Sequence, residues 1–65
     1  MAFDLKFRVE CFLREWDMRS IFLEGEKFST YVVEEHRKDI LHMYQITEQN
    51  VEQYENEIRQ SWKES

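Results

Sequence analysis

Sixty-five residues with fourteen acids against nine bases carry a net charge of −5. A chain this short forms one domain, 1–65, and buries only about 60% of its unfolded surface, so its own core is marginal. Cys11 is the sole cysteine and no Cys/His cluster is present, which excludes an internal disulfide or a structural zinc and leaves association as the outside source of stability.

The N-terminal third fits two templates. Phe3, Leu5, Phe7, Val9, Cys11 and Leu13 occupy every odd position, with Asp4, Lys6, Arg8 and Glu10 between them until Phe12 breaks the alternation, and such alternation is a strand signal. Wound as a helix, the same segment places Leu5, Val9, Phe12, Leu13 and Trp16 on one face and leaves Phe7 and Cys11 on another. A strand needs a partner, and the local candidates are poor: 20–23 is short, and 27–33 contains a helix start. A helix ending near Leu23 brings Gly25 to the C-terminal cap, where glycine accepts the left-handed conformation without a side-chain penalty. With no proline and one glycine, the composition favours helices joined by short connections. The expected fold is therefore all-α, a small three-helix domain. Its alternative is α+β, with an N-terminal strand or hairpin at 3–23 followed by two helices.

The second element starts at a cap. Phe28 before Ser29 can staple onto Val33, opening a helix from about Thr30 to Tyr44. Val32, Val33, Ile40, Met43 and Tyr44 share an arc of about 120°, with His36 inside it. Glu35, Asp39 and His42 align on the other side, but neither further ligands nor a second motif completes a metal site, and Glu34–Lys38 pairing on a solvated face accounts for the same letters. No metal and no cofactor is expected.

The third element is the most regular. Ile46 before Thr47 can staple onto Val51, and Val51, Tyr54, Ile58 and Trp62 then recur along one narrow seam. Glu48, Glu52, Glu55 and Arg59 run beside it. A seam of a/d width suits a single neighbouring helix, and the flanking acids sit where charges select a partner. Tyr54, Ile58 and Trp62 are accordingly the candidate partner anchors, with Glu48, Glu52 and Glu55 setting the partner's charge. Packing of the same seam within the chain is the competing reading.

Charge and aromatic content narrow the function. Residues 1–33 carry five bases and six acids, and 34–65 carry four bases and eight acids, the opposite of the basic stripe that neutralises phosphates. The stretch from Arg37 to Ile58 has helix-turn-helix spacing, so a DNA-binding regulator with its second helix at 48–62 is the alternative function. Its recognition turn would begin with Glu48, Gln49, Asn50, and its affinity would have to come from Arg8, Arg14, Arg19 and Lys27, which are interleaved with acids. Ten aromatic residues in so short a chain are difficult to enclose at roughly 150–250 Å² each, which places some rings at an interface.

One glycine excludes a phosphate-binding loop, and no Ser/His/Asp or Cys/His arrangement has a recognisable spacing, so no enzyme activity and no small-molecule substrate are expected. No apolar run exceeds three residues, so no membrane span is expected, and a solitary thiol with no signal-peptide core in Met1–Arg14 points to the cytoplasm. Size, acidity and aromatic richness resemble, in composition alone, small phage or bacterial regulators that occlude another protein; that likeness transfers no residue. The expected function is a small acidic protein–protein interaction module. It would be a self-associating subunit, such as a homodimer, or a regulator or inhibitor of a larger protein.

Overall fold

The computed structural model describes residues 4–64. Three helices follow one another: α1 (Leu5–Gly25), α2 (Thr30–Met43) and α3 (Glu48–Glu64). The chain is thus an all-α three-helix domain. The strand or hairpin alternative at 3–23 is not what forms over the described residues, because the odd-numbered apolar positions divide between two sides of α1. Phe3 lies outside the described residues.

Each helix start is chemically marked. The Asp4 carboxylate accepts from the Lys6 N–H at 3.2 Å, and Ser29 Oγ accepts from the Val32 N–H at 3.3 Å, each satisfying a donor that has no partner inside its helix. Thr47 and Asn50 close a reciprocal box: Thr47 Oγ1 accepts from the Asn50 N–H at 3.2 Å, and the Thr47 N–H donates to Asn50 Oδ1 at 2.9 Å. Asparagine fills the role that Glu or Gln usually has there.

The two connectors share one design. After α1, Phe28 N–H donates to Leu23 C=O at 3.2 Å and Lys27 N–H to Glu24 C=O at 3.1 Å; after α2, Ile46 N–H donates to Leu41 C=O at 3.1 Å and Gln45 N–H to His42 C=O at 3.0 Å. These are two Schellman motifs, each with its left-handed residue supplied by a non-glycine: Lys27 at φ 59° and Gln45 at φ 56°. The sequence reading put glycine in that position, but Gly25 is the last residue of α1 and has no positive φ. Phe28 and Ile46 each close one helix and stand directly before the cap of the next.

α3 packs chiefly on α1, α2 also packs on α1, and α2 and α3 meet least. The core joins Val9, Phe12 and Leu13 of α1 to Ile40 and Leu41 of α2, Ile46 of the connector, and Val51 and Ile58 of α3. Each such fully buried side chain contributes about 1.5–3 kcal/mol. Leu5, Trp16, Tyr44, Tyr54 and Trp62 pack around its edge. Leu41 is buried and Met43 exposed, so the buried stripe of α2 is rotated toward Leu41 relative to the arc read from the sequence.

Arginines fasten the helices to one another. Arg37 of α2 lies 5.1 Å from the ring centroids of both Phe12 and Trp16, which are stacked in parallel, and donates from Nε and Nη2 to Glu48 at 2.6 and 2.9 Å. It touches all three helices. Arg59 of α3 forks onto Asp17 of α1 with two 2.9 Å hydrogen bonds, and its Nε holds Glu55 at 2.8 Å. Arg8 donates to the Gln45 carbonyl at 2.8 Å, tying the second connector to α1.

Candidate docking face

The anchors inferred from the seam are turned inward. Ile58 is 2% exposed and belongs to the core, while Tyr54 and Trp62 are half-buried against it. Trp62 lies under the Arg14 guanidinium at 4.9 Å. Of the three candidate acids, Glu48 is held by Arg37 and Glu55 by Arg59, and Glu52 alone stands exposed without an ion pair among the described residues. The structure thus gathers Tyr54, Ile58 and Trp62 on one surface, and that surface is covered by α1. A partner would reach Ile58 only by opening the domain.

The electrostatics of these pairs are those of a fastened fold. Hydrogen bonds from Arg37 hold the Glu48 carboxyl below its ordinary range against the opposing effect of burial. Asp17 is lowered in the same way by Arg59, and Glu10 by Arg14 with a further hydrogen bond from Trp62.

The open apolar surface is on the other side of α1. Phe7, Met18, Ile21 and Phe22 are 49%, 73%, 72% and 53% exposed. At about 100° per residue they lie roughly opposite Val9, Phe12, Leu13 and Trp16. Apolar on two opposed faces, α1 has one face filled by α2 and α3 and one half or more exposed at Met18, Ile21 and Phe22.

Beside the outer face run two adjacent hollows. The larger, about 690 Å³, is lined by Cys11, Arg14, Glu15, Met18, Arg19 and Phe22 of α1 with Tyr44 at the end of α2. The smaller, about 280 Å³, lies between Phe7, Arg8 and Cys11 on one side and Met43, Tyr44 and Gln45 on the other. Cys11 and Tyr44 border both. The Tyr44 hydroxyl donates to Glu15 Oε1 at 2.7 Å, which sets the wall of the groove; that bond and burial raise the phenol above its ordinary pKa.

The groove is apolar with a charged rim formed by Arg14, Glu15 and Arg19. Most monomers leave only a few hundred square ångströms of contiguous apolar surface in water. Of the nine aromatic residues within 4–64, Phe7, Phe22, Phe28 and Tyr31 remain exposed. Phe28 extends the patch by meeting Phe22 at a ring-centroid distance of 6.3 Å. Sequence reasoning set Phe7 and Cys11 apart from the core face of α1; continuing that spacing to Met18 and Phe22 was the signal that could have located the groove.

No family model, curated protein or solved structure matches this chain. Among the described residues no helix is long and apolar enough to cross a membrane.

Proposed function

We propose that this chain works by protein–protein contact, docking through the outer face of α1 as a self-associating subunit or as a small regulator or inhibitor that occludes a larger protein. The observation that carries this reading is the row Phe7, Met18, Ile21 and Phe22, 49–73% exposed along one helix face beside a groove of about 690 Å³. Aromatic and methionine side chains in such a setting are the usual anchors of binding energy. Cys11 borders both hollows as a free thiol, which suits a reducing compartment, and we place the module in the cytoplasm.

The helix-turn-helix alternative with its second helix at 48–62 draws no support from this arrangement. Glu48, in the first turn of α3, is engaged by Arg37, and Arg8 and Arg14 are engaged within the chain.

The docking reading is tested by recovering complexes from the native cell with the full chain, the double variant Met18→Glu/Phe22→Glu, and Glu52→Lys. The expected result is loss of every associated species, self or foreign, with the double variant and retention with Glu52→Lys. Complexes that survive the double variant, with its circular dichroism unchanged, would refute the outer face as the docking site.

A further inference from the structure

We infer that the occupant of the outer α1 face is a second copy of this chain, laid antiparallel so that the two α1 helices form the interface. This rests on the docking reading above and names its partner.

The outer face carries a coiled-coil seam. Phe7, Cys11, Arg14, Met18, Ile21 and Gly25 follow one another at steps of four, three, four, three and four, the 3.5-residue repeat that lets one helix lie along another. The seam is also self-complementary when reversed. Setting Arg14 level with the partner's Met18 brings Phe7 to the partner's Gly25 and Cys11 to the partner's Ile21. Phe7 and Ile21 then each meet a small residue, while at the centre Arg14 lays its aliphatic stem along Met18. A side chain built on Gly25 would meet nothing within 4 Å, so the space above it is free for the partner's Phe7. The same register brings the partner's Phe22 level with the 280 Å³ hollow between Cys11 and Met43.

Charge on one flank suits the antiparallel direction. Arg8, Glu15, Arg19 and Glu26 line one flank of the seam in alternating sign. In an antiparallel two-fold pair that flank meets its own reversed copy, so Glu15 approaches the partner's Arg19, and Arg8, one of whose nitrogens holds the Gln45 carbonyl, lies level with the partner's Glu26. Arg19 and Glu26 have no ion pair among the described residues. Parallel docking would instead set the whole flank against Glu10, Asp17 and Glu24, so that Arg8 and Arg19 meet acids but Glu15 and Glu26 meet like charge. In the antiparallel pair that acidic flank meets itself, with Glu10 already paired with Arg14 and Asp17 with Arg59, and Glu24 exposed to solvent at its end. α1 as a whole balances four bases (Lys6, Arg8, Arg14, Arg19) with four acids (Glu10, Glu15, Asp17, Glu24), so two chains of charge −5 meet through a neutral helix.

The surface area agrees. The chain exposes 5190 Å², whereas a folded monomer of 8.2 kDa exposes roughly 4500 Å². The excess approaches the roughly 800 Å² that each partner contributes to a standard stable interface. The shape is correspondingly flat: 36 × 28 × 17 Å with a radius of gyration of 12.5 Å, against about 11 Å for a compact domain of this length.

Sedimentation of the reduced full chain over about 10–500 µM tests the partner, since dimer formation depends on protomer concentration. The expected species has twice the 8.2 kDa chain mass, and Met18→Glu shifts it to monomer with unchanged circular dichroism. Orientation is read by oxidative cross-linking. Ile21→Cys, a change confined to an exposed position, should link to the partner's Cys11 and give a covalent dimer. The wild-type chain should not, because the two Cys11 residues stand about 15 Å apart in this register, beyond the Cα separation that a disulfide bridges. A chain that stays monomeric throughout this range overturns the second copy as occupant; if its complexes with another protein still depend on Met18 and Phe22, the docking face stands without it. Cross-linking of wild-type Cys11 as fast as Ile21→Cys overturns the antiparallel arrangement.

Discussion

The two faces of α1 are built from the same kinds of residue and meet opposite fates. Val9, Phe12 and Leu13 on the inner face are essentially inaccessible, whereas Met18 and Ile21 on the outer face are among the most exposed large apolar residues described. The difference is made by the neighbours. α3 brings one narrow seam and α2 one short stripe, and together they cover a single side of a helix that has two. Hydrophobic residues therefore report a demand for burial without saying who meets it.

Substitutions on the two faces should separate that demand cleanly. The largest effect is expected from Phe12→Ala, which opens a cavity in the core and costs about 3–5 kcal/mol. A domain of this length holds only about 3–10 kcal/mol in total, so urea denaturation at 25 °C should find about a third or more of that stability gone. Met18→Ala, by contrast, should change the stability of the isolated chain by less than about 0.5 kcal/mol, measured at concentrations low enough that association does not contribute. Equal losses at the two positions would abolish the distinction between the faces.

Trp62→Ala comes next, at about 2 kcal/mol, because a half-buried ring and its contact with Arg14 are both removed. The loss should appear in thermal unfolding of the dilute chain. An unchanged melting temperature would return Trp62 to the surface role read from the sequence.

Acid should then loosen the joints on the inner side. Glu48, Asp17 and Glu10 have folded-state pKa values depressed below 4.5, 3.8 and 4.5 by their arginine partners. Stability from these pairs is fully present above those values and is lost as pH falls through the lower, folded ones. A denaturation series from pH 7 to acid should show a decline starting near those ordinary values and shallower in Glu48→Gln. An identical profile for Glu48→Gln would show that its pairing with Arg37 contributes nothing.

The smallest change is a gain. Gln45→Gly removes the cost of a left-handed side-chain-bearing residue and should stabilise the dilute chain by about 0.5–1 kcal/mol after the entropy of glycine is counted. Lys27→Gly should do the same at the other connector. A loss at both sites would mean that the side chains, rather than the backbone, hold those turns.

Much of the architecture was legible because capping chemistry is local. Ser29 and Thr47 could be recognised from their own letters and those three or four places on, and they begin α2 and α3 where expected. The seam of α3 was equally plain, and the competing reading of it, packing within the chain, is the one the fold displays: a clean single stripe suits an internal helix contact, with Ile58 in the core and Trp62 at its edge. α1 was the hard case because apolar residues on opposed faces resemble the alternation of a strand. Phe7 and Cys11 stood apart from the core side even so, but joining them to Met18 and Phe22 required knowing that α2 and α3 both lie on the other side. The left-handed residues could not be located from composition, since Lys27 and Gln45 are not the glycine or asparagine that usually marks such a position.

The doubled duty of Phe28 and Ile46 constrains how the molecule can move. Because the residue that stops one helix also stands before the cap of the next, a helix cannot fray at its end without disturbing the beginning of its successor. Between the helices there is no slack segment in which to store a hinge, so opening should be collective, with exchange of the amides of α2 and α3 rising together instead of helix by helix. A binder built this way offers a preformed surface and pays little ordering entropy on contact.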